Sequence, residues 1–307
     1  MKLRRCYINN VDIYAEYGVW ITKGGYNNLI SFPDLRDPEK NDWPEEDGIE
    51  VDLETPTLKE KEVTISFLAS NPTIDVSMFI DFMCQPGYKV FVIPSLQHSW
   101  ALRLSKHQSN TTYTGATSFS LNFIDDFPTR SDYYPIPAGG GTHLSGSPFA
   151  LDGIRLERYG ILVTKAHDEI IKTPTVKQNL TRSNSLMDGQ KYDVETLHLN
   201  SKEVTLKCCL IASSVERFWE CYDAFFNDLI KPGERSLYYD RTLGEYPCYY
   251  KKTSGWKIWS LTGKVVVEFS LTLVFTRFRL GKIEYVLADE TGAFIVTEDG
   301  FLIDMML

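Results

Sequence analysis

The strongest constraint in this 307-residue sequence is a segment that occurs twice. Residues 47–64 read DGIEVDLETPTLKEKEVT, and residues 188–205 read DGQKYDVETLHLNSKEVT. Ten of the eighteen aligned positions are identical without a gap, at a spacing of 141 residues. Self-similarity over such a period indicates two copies of one structural unit. The chain is therefore predicted to form two related globular domains, and 43% hydrophobic residues are enough to build their cores.

The similarity extends to the elements around the repeated segment. Tyr17-Gly18 matches Tyr159-Gly160, and a long polar loop follows in both copies. The next segment alternates between apolar and polar residues, which predicts a strand with one buried face. A closing strand also recurs, since FSLNF at residues 119–123 is echoed by FSLTL at residues 269–273. The predicted buried strand positions are Val63, Ile65 and Phe67 in the first copy and Val204, Leu206 and Cys208 in the second.

Each copy also contains one predicted helix. In the second copy the apolar spacing between Val215 and Leu229 is that of a helix buried along one stripe, which indicates core packing. Ser213 and Glu216 are predicted to form its capping box, and Pro232-Gly233 to end it. The first copy predicts a shorter helix that begins near Pro72 and ends before Pro86-Gly87.

A segment rich in Pro, Gly and Ser separates the copies. It predicts a first domain at residues 1–127, a linker at 128–150, a second domain at 151–280 and a C-terminal β-hairpin extension at 281–307. As a flexible chain the linker would reach about 25–30 Å. The predicted fold class is mainly β with one helix per domain (α+β).

The charge distribution argues against several functions. A net charge of −9 without a basic cluster is unfavourable for gripping nucleic acid, because phosphate neutralisation supplies most of that affinity. No apolar run reaches the roughly 18 residues of a membrane span, and the start lacks an apolar signal region. We therefore expect a soluble chain made in the cytoplasm, without membrane insertion.

The acidic charge is concentrated at residues 34–54, which carry ten carboxylates. The pattern is typical of a solvated loop, and it lacks the regular acidic spacing and central glycine of an EF-hand, so calcium binding is a minor alternative. Such a loop can meet a basic surface on a neighbouring protein. Its candidate contact residues are Asp42, Glu45, Glu46 and Asp47.

The sequence offers no arrangement that indicates catalysis. The five histidines form no HxH or HExxH motif, the six cysteines have no CxxC spacing, and no serine lies in a GxSxG turn. Carboxylate pairs for glycoside hydrolysis can be nominated, but their separation in space does not follow from sequence. We therefore predict no enzymatic activity, no cofactor and no metal.

The order and duplication of these motifs resemble the tail-tube fold of tailed bacteriophages, and in particular the ring-forming domain of distal tail proteins. The similarity covers most of residues 7–278. It is carried by NNVDIYAEYGVWI, KEKEVTISFLAS and FIDFMCQPG in the first copy, and by LDGIRLERYGILV, SKEVTLKCCLIAS and FFNDLIKPGE in the second.

This resemblance implies two tandem tail-tube-like β-sandwich or split-barrel domains and a structural role in a distal tail or baseplate ring. The protein would belong to the virion tail, assembled in the bacterial host cytoplasm beside tail tube and baseplate proteins, with DNA passing through unbound. With two domains in each chain, a trimeric pseudo-hexamer is favoured and a hexamer stays open. The acidic loop would then contact an adjacent ring or line the passage.

A second function remains open from the residues alone. A carbohydrate-binding β-sandwich module used in host attachment would need aromatic side chains that stack on sugars. Trp43, Trp100, Trp256 and Trp259 are the candidates, and core or interface packing is the competing interpretation for each.

Overall fold

The computed structural model describes residues 5–69, 76–113, 115–128, 134–177, 181–183, 185–186, 188–192 and 197–278. Over these residues the chain is mainly β with few helices, which confirms the predicted fold class. The predicted C-terminal extension at residues 281–307 lies outside the described residues. We refer to residues 5–128 as the first half, residues 134–148 as the connecting segment and residues 149–278 as the second half.

The first half contains a seven-stranded antiparallel sheet with the order β2-β1-β7-β8-β9-β6-β3, and a small β4–β5 hairpin. Its strands are β1 (Tyr7–Ile8), β2 (Val11–Asp12), β3 (Val19–Ile21), β4 (Lys40–Asn41), β5 (Glu50–Val51), β6 (Lys61–Ala69), β7 (Lys89–Ile93), β8 (His98–Tyr113) and β9 (Ala116–Asp125).

The second half repeats this strand order as β11-β10-β16-β17-β18-β15-β12, again with a separate hairpin, β13–β14. The two hairpins begin 141 residues apart, at the spacing of the repeated segment. The strands are β10 (Phe149–Leu151), β11 (Ile154–Arg155), β12 (Ile161–Lys165), β13 (Thr181–Arg182), β14 (Lys191–Tyr192), β15 (Lys202–Ala212), β16 (Arg235–Tyr239), β17 (Gly244–Ser260) and β18 (Val265–Phe275).

The alternation of apolar and polar residues defines the two faces of each central strand pair. The predicted apolar positions of β6 and β15 are buried, in contact with the buried residues of β9 and β18. The opposite face carries short polar side chains, among which Ser66 and Ser120 lie 3.0 Å apart and Thr205 and Thr272 lie 3.2 Å apart. One sheet face therefore builds the core of each half.

The helices α1 (Ile13–Tyr17), α2 (Val76–Cys84), α3 (His167–Ile171) and α4 (Val215–Leu229) accompany the sheets. The predicted apolar stripe of α4 is buried except for Val215 and Trp219, which are half-buried. The predicted cap was wrong by one residue. The N-cap is Ser214, whose side chain accepts a hydrogen bond from Arg217 N, whereas Ser213 N donates to Gly140 O at 2.7 Å. Pro72 lies outside the described residues.

The matching Tyr-Gly pairs form equivalent turns. Gly18 and Gly160 cap short helical turns in the left-handed conformation, with φ of 60° and 69°. The preceding tyrosines contact equivalent phenylalanines edge-on, at ring-centroid distances of 5.6 Å for Tyr17–Phe79 and 5.4 Å for Tyr159–Phe225. These contacts anchor α2 and α4 at the same place in each half.

The connecting segment is not the flexible chain that its composition predicts. Gly139 N donates to Arg158 O at 2.6 Å, and Arg217 Nε donates to Gly139 O at 2.7 Å. A Cβ atom on Gly140 would lie 2.0 Å from Ile211 O, so the glycine allows the segment to lie directly on β15. β10 also begins inside the predicted linker, at Phe149. Gly140 therefore serves close packing against the second half.

Candidate interaction site

The two halves meet through the long loop of the first half. This loop begins with a short 3-10 helix, Asn27–Ile30, followed by residues 31–35, which we call the first strap. Lys61 Nζ donates to Leu29 O at 2.8 Å and to Ser31 O at 2.9 Å, which satisfies carbonyls at the end of the helix. Burial lowers the pKa of Lys61 to about 8. A buried lysine thus holds the start of the first strap.

The first strap lies on β17 and α4 of the second half. Phe32 stacks on Phe226 with ring centroids 4.2 Å apart. The backbone of the first strap is also hydrogen-bonded to β17. Tyr250 Oη donates to Pro33 O at 2.9 Å, and Thr253 Oγ1 donates to Phe32 O at 3.0 Å. The contact is therefore both apolar and hydrogen-bonded.

The last residue of the first strap makes a backbone hydrogen bond to β17, in which Leu35 N donates to Lys251 O at 2.9 Å. Further along the loop, Ile49 N donates to Thr276 O at 2.9 Å. Gly48 has φ of 74°, and a Cβ atom there would lie 1.7 Å from Thr276 O. Only glycine permits this approach, so the loop is shaped to the second half.

The structure separates the four predicted acidic contact residues into two pairs. Asp42 lies 2.6 Å from Lys177 Nζ, and Asp47 accepts a hydrogen bond from Leu199 N at 2.9 Å. Both therefore bind the second half of the same chain. Glu45 and Glu46 are exposed at the tip of the β4–β5 hairpin. Their role towards an adjacent ring stays a prediction.

A second contact joins the β7–β8 turn to α4. Trp219 Nε1 donates to Leu96 O at 2.7 Å, and the Trp219 ring stacks on His98 with centroids 4.5 Å apart. Beside it, a cleft of about 550 Å³ between the halves is lined in part by Trp100 and Asp223. Burial raises the pKa of Asp223 to about 6, so this carboxyl group is more easily protonated than an exposed one.

The candidate sugar-binding tryptophans do not share one environment. Trp100 and Trp256 are buried, and Trp256 stacks on Phe269 at 4.5 Å. Trp43 and Trp259 are exposed, but Lys257 Nζ lies 3.5 Å from the centre of the Trp259 ring. A sugar would have to use the other face of that ring.

The described part of the chain contains no group of three or more His, Cys, Asp and Glu side chains placed to hold a metal ion. Within the same residues, no helix has the length and apolar character needed to cross a membrane.

The strap contacts were not predicted from sequence, although one signal was present. Lys61 and Lys202 occupy identical positions of the repeated segment and fall on the same strand faces as the predicted core residues. A lysine on a buried face needs acceptors, and a loop folded over it supplies them. The contact partners on β17 and α4 carry no comparable signal.

Comparison with known proteins finds no family assignment. No protein-family model matches the chain, and no curated protein matches it. A structural match is the crystal structure of the SPP1 Dit protein, described as a paradigm of the hub adsorption apparatus in phages that infect Gram-positive bacteria. It covers 88% of this chain and 98% of the other, at 10% identity and a TM-score of 0.32. A likeness this low assigns neither fold nor function.

Proposed function

We propose that the chain is a non-enzymatic structural protein of a bacteriophage or prophage tail, in the distal tail or baseplate ring around the DNA passage. The observation that carries the proposal is the contact between two halves of the same strand order, in which a loop of one half lies on the helix and sheet of the other. A ring of like units needs such a side-by-side contact, repeated until it closes.

The motif resemblance found in the sequence supports the same role. With two ring units in each chain, three copies supply six positions, so the proposed ring is a trimeric pseudo-hexamer. A net charge of −9 is consistent with a passage that DNA traverses without binding. The exposed Glu45 and Glu46 are then candidates for contact with a neighbouring tail tube or baseplate protein.

The test is made on particles from a strain that carries the gene. Peptides of this chain are expected in purified virions, and antibodies against it are expected to label the distal end of the tail. Inactivating the gene should leave filled heads but no functional tails. Normal infectious particles without the protein, or labelling of the head, would contradict the proposal.

The carbohydrate-binding module remains the second candidate, because Trp43 and Trp259 expose aromatic surface. A glycan array with the purified chain separates the two functions. Binding that is lost in Trp43→Ala or Trp259→Ala, but kept in a Leu186→Ala control at another exposed position, would favour the module.

A further inference from the structure

The second half contains a second strap that corresponds residue by residue to the first. An isolated β-bridge joins Leu35 to Leu58 in the first half, and another joins Val176 to Leu199 in the second half. Each residue of the second bridge lies 141 positions after its counterpart in the first. Lys202 Nζ donates to the carbonyls of Ile170 and Lys172, as Lys61 does to those of Leu29 and Ser31. We call residues 172–176 the second strap.

The two straps differ in what covers them. Leu35 is 5% exposed beneath the second half, whereas its equivalent Val176 is 41% exposed. Just before the straps, Ile30 is 1% exposed and its equivalent Ile171 is 37% exposed. The second strap therefore presents an apolar surface that its counterpart buries.

The glycines of the two loops show the same contrast. Gly48 would clash with Thr276 if it carried a Cβ atom. Its equivalent Gly189 has nearly the same φ, 76° against 74°, yet no atom lies within 4 Å of the position of a Cβ. The second loop keeps the backbone conformation of the first at this glycine. In the described part of the chain, however, no segment lies against it as Thr276 lies against Gly48.

On the first half, β8 and α2 form a surface that corresponds to the one on β17 and α4 contacted by the first strap. We call this surface, which includes Ile80 and residues 105–107, the receiving surface. Phe123 of β9 and Leu273 of β18 are equivalent, and they pair with Leu104 of β8 and Tyr250 of β17. Leu104 is therefore the equivalent of Tyr250. The register of β8 shifts directly after Leu104, and that of β17 shifts directly after Tyr250, so Ser105 is the equivalent of Lys251. The carbonyl of Lys251 accepts the hydrogen bond from Leu35 N of the first strap.

This equivalent surface is open. Leu104 is half-buried and His107 is exposed, whereas their equivalents Tyr250 and Thr253 are buried under the first strap. Ser105 is exposed as well. On α2, Ile80 follows Phe79 as Phe226 follows Phe225, and it is only half-buried. Both partners of a second strap contact are thus present on one chain, at opposite ends of its pair of halves.

We propose that the second strap of one copy docks on β8 and α2 of a second copy and repeats the contact made within each chain. Val176 N would donate to Ser105 O of the next copy, as Leu35 N donates to Lys251 O. Such a head-to-tail contact continues until the ring closes. The proposal deepens the ring function and rests on it for its biological role, but the contact can be tested in the purified chain.

The contact between chains should be weaker than the contact within the chain. Thr173 and Ile80 replace Phe32 and Phe226, so the aromatic stack has no counterpart. The internal contact also benefits from the covalent connection, which raises its effective concentration. Association is therefore expected to depend on protein concentration.

A disulfide test uses the full chain with the exposed Cys84 changed to Ser. The pair Val176→Cys with Ser105→Cys should form disulfide-linked dimers and trimers under mild oxidation. The matched control pair, Val176→Cys with Lys264→Cys, keeps two exposed thiols but places one away from the receiving surface. We expect disulfide-linked oligomers with the first cysteine pair and not with the control pair. Equal disulfide formation with both pairs, or none with either, would overturn the proposal.

A charge substitution gives an independent readout. Val176→Glu should weaken self-association about tenfold or more, because the carboxylate would be desolvated in the contact. Ile136→Glu, at another exposed apolar residue, should leave association unchanged. Melting temperature checks that both variants fold. Association unaffected by Val176→Glu would reject the interface, while detection of the protein in tails would still support the proposed function.

Discussion

Phe32 of the first half stacks on Phe226 of the second half, with ring centroids 4.2 Å apart and planes inclined by 10°. The two residues are 194 positions apart in sequence. Around this pair the backbone of the first strap is fixed by hydrogen bonds from Tyr250 and Thr253. The pair therefore marks the centre of the contact between the halves.

Replacing Phe32 by Ala should lower the free energy of unfolding by about 2–3 kcal/mol, somewhat less than for a fully buried phenylalanine because the side chain is half-buried. Denaturant unfolding followed by tryptophan fluorescence measures the change. Phe127→Ala is the control, since Phe127 is 76% exposed and its loss should cost less than about 0.5 kcal/mol. Equal effects of both variants would contradict the importance of the stack.

Gly140→Ala should detach the connecting segment from β15. The new Cβ would lie 2.0 Å from Ile211 O, and the resulting overlap is expected to cost about 1–3 kcal/mol. Gly146→Ala is the matched control, because no atom lies within 4 Å of a Cβ there. Limited proteolysis reports the detachment directly. If the two variants are cleaved at the same rate, the segment is not held by this contact.

Asp223 should make stability depend on pH. Its pKa in the folded protein is about 6, above the value of about 3.9 for an unperturbed Asp. Stability contributed by the protonated group is complete below the unfolded pKa and is lost as the pH rises through 6.

Asp223→Asn should remove this loss and stabilise the protein at pH 7 by up to about 3 kcal/mol, with solvent screening reducing the gain. Unfolding curves at pH 4, 6 and 8 measure it. Asp81→Asn, which removes an exposed carboxylate of α2, is the control for the change in net charge and should leave stability at pH 8 unchanged. An Asp223→Asn profile that parallels the wild type would show that Asp223 is not the titrating group.

The acidic loop residues should divide into two classes. Asp47→Asn weakens the bond from Leu199 N and should lower stability by about 1 kcal/mol. Glu45→Gln with Glu46→Gln should leave stability unchanged but reduce salt-sensitive docking to the tail protein that is proposed as the neighbour. Glu54→Gln, another exposed residue of the loop, serves as the control. Unchanged docking at low salt would remove Glu45 and Glu46 from the partner interface.

Local patterns in the sequence were enough to predict the strands and the faces they bury. The alternation at Val63, Ile65 and Phe67 is produced by the two-residue period of a strand, and these residues are buried in the structure. The stripe on α4 and the Tyr-Gly turns were predictable for the same reason, because each depends on residues a few positions apart. The start of α4 was missed by one residue because Ser213 and Ser214 are adjacent and chemically equivalent caps.

The tertiary structure alone decided which surfaces are covered. Leu35 and Val176 stand at equivalent places in two similar segments, and only the position of the second half makes one buried and the other exposed. Gly140 lies in a segment that has the composition of a flexible linker, yet its close approach to Ile211 O makes it a packing residue. Such contacts join residues far apart in sequence, so no local period records them, and the burial of a residue depends on what the rest of the chain places over it.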